Sequence, residues 1–264
     1  MELRPFFSIV SITFKERFVY KLDFLSSLMG VAFNLILFWF LWKAVFAASG
    51  SAVIQGFTFP MMVTYLSIVT VMRSYGYPHV EYSVENDVKW GFLGVRLTKP
   101  FSYPLWKFTR ELGKTLFVIL TAGAVGIIAA VLVFNISGPV SWLFFVSAAM
   151  GFIVNYLLAF ITALWAFFTT GYIWGMRLAR GVISDIFSGA LIPLVLFPGF
   201  LKSIAALLPF QAVYHIPMSI YLGHVTGYAL IETLLLQVFW IVLLVIIAAF
   251  AWKKALTRAV VQGG

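Results

Sequence analysis

The chain has 264 residues, of which 62% are hydrophobic and 10% charged, with a mean hydropathy of +1.02. Soluble globular chains carry roughly 45–50% apolar and about 25% charged residues, so lipid must be the solvent for much of this one. A net charge of +9 would suit nucleic-acid binding only on the basic face of a soluble fold, which this composition excludes, and the absence of cysteine removes disulfides, thiolate metal sites and cysteine nucleophiles.

Residues 1–22 carry charges throughout and run straight into a long apolar segment, which is not the layout of a signal peptide. Leu3, Phe7, Val10, Phe14 and Phe18 share one helical stripe with Lys15 and Glu16 off it. That pattern predicts an amphipathic helix, lying in the membrane interface or packed on the bundle. A spanning helix needs about 20 mainly apolar residues. Six segments are candidates, at 24–47, 57–72, 115–134, 143–168, 181–200 and 229–251, although the second is short and Pro193 and Pro198 interrupt the fifth. The long runs lack the period-2 alternation of a membrane barrel. The expected fold is therefore an all-α polytopic membrane protein, a single membrane domain over 1–264 with six transmembrane helices.

The cations set its orientation. Arg4, Lys15, Arg17 and Lys21 precede the first span, seven more lie in 73–114, Arg177 and Arg180 follow the fourth, and Lys253, Lys254 and Arg258 end the chain. Sixteen of the 18 Lys and Arg residues thus share one side, leaving Lys43 and Lys202 on the other, and the loops 48–56 and 135–142 contain none. The positive-inside rule then predicts both termini in the cytoplasm.

The cytoplasmic segment 73–114 is long for a connection and holds Glu81, Glu85, Asp87 and Glu111 among its cations. Glu81 to Trp90 reads as a short helix ended by Gly91 and Gly94, with Pro100 and Pro104 imposing an extended or turning stretch and Trp106 to Lys114 leading into the third span. It is either a solvated loop or a docking element presenting mixed charges and Trp90. Gly113-Lys114-Thr115 resembles the end of a phosphate-binding loop, but Phe108 stands where the first glycine is required, so no nucleotide site is expected in this chain.

Ionisable and amide groups within spans are costly there and default to functional candidates. Asp185 lies about a turn into the fifth span, where an arginine such as Arg177 is the expected partner, or where it contacts cargo at the cytoplasmic mouth. Asn34, Asn155 and Gln237 are expected to bond across helices, and Glu232 to be solvated. His79, His215 and His224 do not combine into a metal site, and no catalytic constellation can be argued. Pro193, Pro198, Gly199, Pro209 and Pro217 break the stretch 192–228, and broken backbone at membrane depth survives only where protein or a water-filled cavity satisfies it. A partial re-entry from outside over 201–228, between the fifth and sixth spans, fits that rule.

Several short motifs recur in one order along the chain: Asp87-Val88-Lys89-Trp90-Gly91, then Leu97-Thr98-Lys99-Pro100-Phe101-Ser102-Tyr103-Pro104, Ile192-Pro193-Leu194 with Phe197-Pro198, and Leu208-Pro209-Phe210 with Tyr214 and Pro217. Gln237-Val238-Phe239-Trp240 and the terminal Val261-Gln262-Gly263-Gly264 follow. With the interfacial N-terminal arm and six spans, this arrangement resembles a permease subunit of the type-2 ATP-binding-cassette (ABC) exporters, in the prokaryotic branch of this length that ends in Gly-Gly. The resemblance implies a transporter subunit without catalytic residues, metal or cofactor, placed in the cytoplasmic membrane. Two separate ABC ATPase subunits would carry ATP and Mg, and a second copy or a sister permease would complete the assembly. It implies a coupling helix over roughly Glu81 to Trp90, with Glu85, Asp87, Lys89, Arg96 and Lys99 at the ATPase contact, although Trp90 stands where that family has a smaller residue before the glycine. The translocation path would then be lined by Asn34, Asp185, Pro193 and Pro198. A motor-independent secondary transporter or channel is the alternative, but it would want an ionisable relay at the midplane or a clear internal repeat.

Overall fold

The computed structural model describes residues 3–16, 21–76, 79–169 and 171–262. Arg17, Phe18, Gly263 and Gly264 lie outside them. Among the described residues four helices are long and apolar enough to cross a membrane: Leu28–Ser49, Tyr103–Phe134, Leu143–Phe167 and Gly227–Arg258. They correspond to the predicted first, third, fourth and sixth spans.

Helix α1 (Leu3–Glu16) packs along the later helix α6 (Tyr103–Val118). Thr13 is buried against Gly113, where an added Cβ would come within 3.0 Å of the Thr13 Cβ, and Phe14 meets Phe117 edge-on at 5.5 Å. The predicted stripe is divided, because Phe7 points outward with Ile12. One side of α1 thus serves the bundle and the other is free for the interface.

Helix α2 (Lys21–Ser49) is apolar on all sides and leaves Met29, Phe33, Ile36 and Phe40 exposed, as a lipid-facing helix does. A two-residue hairpin, β1 (Val53–Ile54) paired antiparallel with β2 (Phe57–Thr58), leads out of it. Gln55 and Gly56 both take positive φ, the geometry that lets a two-residue turn follow the strands' twist. Helix α3 (Phe59–Gly76) corresponds to the predicted second span but runs through the centre of the bundle, with Met62, Tyr65 and Val69 essentially inaccessible.

Helix α6 passes through a π turn at Ile119–Gly123 into α7 (Ala124–Phe134), so the predicted lead-in and third span form one continuous stretch. Pro104 sits in the first turn of α6, where its missing N–H has no intrahelical partner to lose. The chain turns from Thr98 to Phe101, within the expected extended or turning stretch, and Pro104 ends that stretch by starting the helix. The left-handed Asn135 ends α7. Helix α8 (Leu143–Ala163), extended by a 3₁₀ turn at Leu164–Phe167, packs against α12 (Gly227–Gln262).

The predicted fifth span, 181–200, is not a single helix. Helix α9 (Trp174–Phe187) stops before Gly189, which adopts a φ of +81°. A 3₁₀ turn (Leu194–Leu196) follows Pro193, and Pro198 caps α10 (Gly199–Ala206). Left-handed glycine and two prolines that cannot extend a helix account for the break. From Pro209 the chain turns through 75° relative to α10 and continues into α11 (His215–Tyr221).

The polar groups freed by these breaks are taken up by side chains and backbone of the core. The Tyr65 hydroxyl donates to the Gly189 carbonyl at 2.8 Å, and the His215 N–H to the Ser188 carbonyl at 2.9 Å. Gln237 donates to the Ala212 carbonyl at 2.8 Å and the Ser147 carbonyl at 3.1 Å, while its own oxygen accepts from the Ser147 hydroxyl. Gln237 therefore makes the cross-helix bonds expected of it. The hairpin, the 135–142 connection and the loop after α11 meet at one end, through Phe57 against His224 and the Val140 N–H on the Tyr221 carbonyl.

Helix α8 approaches the broken segment closely at Gly151, where a Cβ would lie 2.6 Å from the Val213 carbonyl oxygen. Gly151→Ala is expected to cost about 1–3 kcal/mol by overpacking, seen as a lower thermal midpoint in detergent. Gly175→Ala, with nothing in reach of its Cβ, should leave that midpoint level or higher.

Candidate functional site

At the end of the bundle opposite the hairpin, a short helix lies across the ends of the longer ones. Helix α4 (Val80–Lys89) buries Val80, Glu81, Val84 and Asp87, a stripe of helical spacing in which two of four residues are acidic. A buried carboxylate must be paired. Glu81, at 0% exposure, receives both arms of the Arg180 guanidinium at 2.7 and 3.0 Å. Arg180 is itself buried and also reaches the Asn155 oxygen at 3.4 Å, so Asn155 bonds across helices as expected. Burial pushes the Glu81 carboxyl up from its ordinary range, against the pull of Arg180.

Asp87, 4% exposed, lies 2.8 Å from the Lys107 ammonium, accepts from the Tyr103 hydroxyl at 3.0 Å and stands 3.7 Å from Arg96. Lys107 also donates to the Ser83 hydroxyl. Half-buried Glu85 pairs with Arg177 at 3.4 Å, and the Glu111 carboxylate accepts the His79 N–H at the start of α4. Acidic residues four apart on α4 (Glu81 and Glu85) thus face arginines three apart on α9 (Arg180 and Arg177). That matched spacing is legible in the sequence, although reading the cations only as topology markers passes over it.

The outward face of α4 is different. Tyr82, Lys89 and Trp90 are exposed, Trp90 by 65%. Gly91, with a φ of +70°, ends α4 by itself, since Gly94 lies inside α5 (Leu93–Leu97). Phe92 and Val95 are exposed beside it, as is Lys99. Arg96 is turned inward onto the Trp106 ring at 4.3 Å. The connection before α9 joins this surface: Gly171 sits against Lys89, whose ammonium covers the Tyr172 ring at 4.5 Å. Tyr172 and Trp174 are exposed as well. Large aromatics clustered among charges on a projecting element mark an interaction surface. The residues expected at an ATPase contact divide accordingly. Lys89, Trp90 and Lys99 face outward, whereas Glu81 and Asp87 are consumed within the chain, and charge reversal at Asp87 would strike the fold before any partner.

A second feature lies between α2 and α3. A cavity of about 380 Å³ is lined by Gly30, Val31 and Asn34 on one side and Thr70, Arg73 and Ser74 on the other, with His79 beside them. Asp185 pairs with Arg73 at 2.7 Å and not with Arg177. Arg177 is committed to Glu85, and Asp185, about two turns further along α9, faces α3. Asn34 donates to Gly30 in its own helix, and among the described residues its expected cross-helix bond is not made. Pro193 is buried and Pro198 exposed, and neither lines this cavity; they break the backbone. Glu232 is exposed.

The family described as "ABC-2 family transporter protein" matches residues 32–263. The chain belongs to that family. No curated protein and no solved structure matches it. ABC-2 membership makes this chain a membrane permease domain, associated with ABC ATPase subunits, and no nucleotide-binding domain is evident in it.

Removing one partner of a buried ion pair leaves the other uncompensated, at about 3–5 kcal/mol. Glu81→Ala is therefore expected to collapse the thermal midpoint of the detergent-solubilised permease, and Trp90→Ala to leave it unchanged. Equal midpoints for the two would show that α4 is not clamped through Glu81.

Proposed function

We propose that this ABC-2 permease exports its cargo from the cytoplasm by ATP-driven alternating access. Two copies, or one copy and a sister permease, would pair with two ATPase subunits, with α4 as the coupling helix. One observation carries this reading: α4 is clamped on its inner face to α6, α8 and α9 and bare on its outer face. A partner gripping Tyr82, Lys89, Trp90 and Tyr172 would hold a helix that cannot move without its ion-paired neighbours. ATP-dependent changes in the partner would then bias the bundle between two states by differential binding.

The side assignments follow from charge. The end that bears α4 carries nearly all the cations, and the hairpin and 135–142 loops carry none, which favours a cytoplasmic position for the first and for both termini. The membrane is then the cytoplasmic membrane of a prokaryote. Central α3 and α9 with the interrupted stretch up to Pro198 complete six crossings alongside the four long helices, and the bent segment from Gly199 to Tyr221 re-enters partway from outside.

The test is co-purification. The tagged permease in mild detergent should retain an ABC ATPase at equimolar stoichiometry. Lys89→Glu with Trp90→Ala should weaken that association at least about tenfold, the loss typical of one aromatic anchor, at an unchanged thermal midpoint. Retention indifferent to both changes would remove the docking role from α4, and the absence of any ATPase would favour a motor-independent transporter.

A further inference from the structure

We propose that the cavity between α2 and α3 binds the anionic headgroup of an amphiphile, a phosphate or carboxylate, through Arg73. The arginine is only half committed. Asp185 takes a single terminal nitrogen at 2.7 Å, whereas Arg180 is held by both oxygens of Glu81. A guanidinium has five N–H donors in a rigid fork that suits the oxygens of carboxylate and phosphate, so donors remain for a ligand. Arg73 and Asp185 each keep 26% of their side chains exposed, which leaves the pair open to competition.

The rest of the wall agrees. The Thr70 hydroxyl and the second N–H of Asn34 offer neutral donors, the Ser74 hydroxyl being spent on the Val71 carbonyl, and among the described residues no acidic one lines the cavity. Its volume of about 380 Å³ falls in the range of small-molecule sites, roughly 300–1,000 Å³. An apolar tail has a surface at hand, since Met29, Phe33 and Leu37 flank Asn34 along α2 and are exposed. An anion seated on Arg73 competes with Asp185, and each gain for the ligand is a loss for the link between α3 and α9. That the amphiphile is cargo rests on the export reading; its binding does not, and binding is what the experiment measures.

The purified permease in detergent is titrated with dodecyl phosphate, dodecyltrimethylammonium and inorganic phosphate while thermal midpoint and intrinsic fluorescence are followed. Dodecyl phosphate is expected to bind saturably and raise the midpoint, and the cationic amphiphile to do neither. Inorganic phosphate should bind more weakly, because it has no tail. Equal affinity for inorganic phosphate would overturn the amphiphile and leave a free-anion site. Arg73→Gln should weaken dodecyl phosphate at least about tenfold, the value of a charge-assisted hydrogen bond. Asp185→Asn should tighten it several-fold by removing the internal competitor, an effect that a purely structural ion pair would not produce. The double variant R73Q/D185N carries no uncompensated charge and guards against misfolding of the single one. It should bind no better than Arg73→Gln, and undiminished binding in it would overturn the site.

Discussion

The buried pair of Glu81 and Arg180 is the constraint from which the working end of this permease follows. A carboxylate at 0% exposure and a guanidinium at 7% are tolerable only face to face, since either one left without its partner costs several kcal/mol. Their geometry therefore fixes where α4 sits relative to α9. Asn155 brings α8 into the same arrangement, and Asp87 repeats the device toward α6 through Lys107 and Tyr103. A helix of ten residues would be marginal alone in water. Here its position is set by charges that have nowhere else to go, and its aromatic outer face is left free.

The opposite half of the molecule solves a related problem without charge. Between Phe187 and His215 the backbone leaves helical geometry several times inside an apolar bundle, and each departure frees carbonyls that lipid cannot satisfy. Tyr65, the His215 N–H and Gln237 take up those of Gly189, Ser188 and Ala212. Amides and hydroxyls inside the bundle thus serve the broken backbone. Gly151 records the same closeness from the other side, because the broken chain lies where its side chain would be.

What was legible in the sequence follows a physical line. Apolar run length is a local property, and it locates the four long helices. Lys and Arg placement is a one-dimensional count, and it separates the two ends. The short helix expected from Glu81 to Trp90 is observed at Val80–Lys89, because glycine and charge mark its limits locally. The direction in which its charges point was not legible. Glu81 and Arg180 are 99 residues apart, and a carboxylate reads identically whether it faces solvent or an arginine. Sequence proximity favours Arg177 as the partner of Asp185 for the same reason, while the fold brings Arg73 from another helix. The fifth span is broken for a different reason. Its apolar run was long enough, but Gly189, Pro193 and Pro198 together outweigh hydropathy, and composition alone does not say whether prolines kink a helix or end it.

These strands meet on α9. Within its 14 residues it carries Arg177 and Arg180, bound to α4, and Asp185, bound to α3 beside the cavity. At 1.5 Å per residue the pairs at Arg180 and Asp185 are separated by roughly 8 Å along one rigid element. In the proposed exporter, a partner pulling on α4 and an anion competing for Arg73 would therefore act on the same helix from its two ends. Coupling between sites is reciprocal. If movement of α4 loosens Asp185 from Arg73, then an anion that loosens it from within must make that movement of α4 easier by the same free energy. A partly exposed ion pair would suit this role better than a buried bidentate one, because its strength lies within the range a ligand can match. In that proposal the rigid pair would transmit and the weaker pair respond, and the difference between them is one hydrogen bond against two.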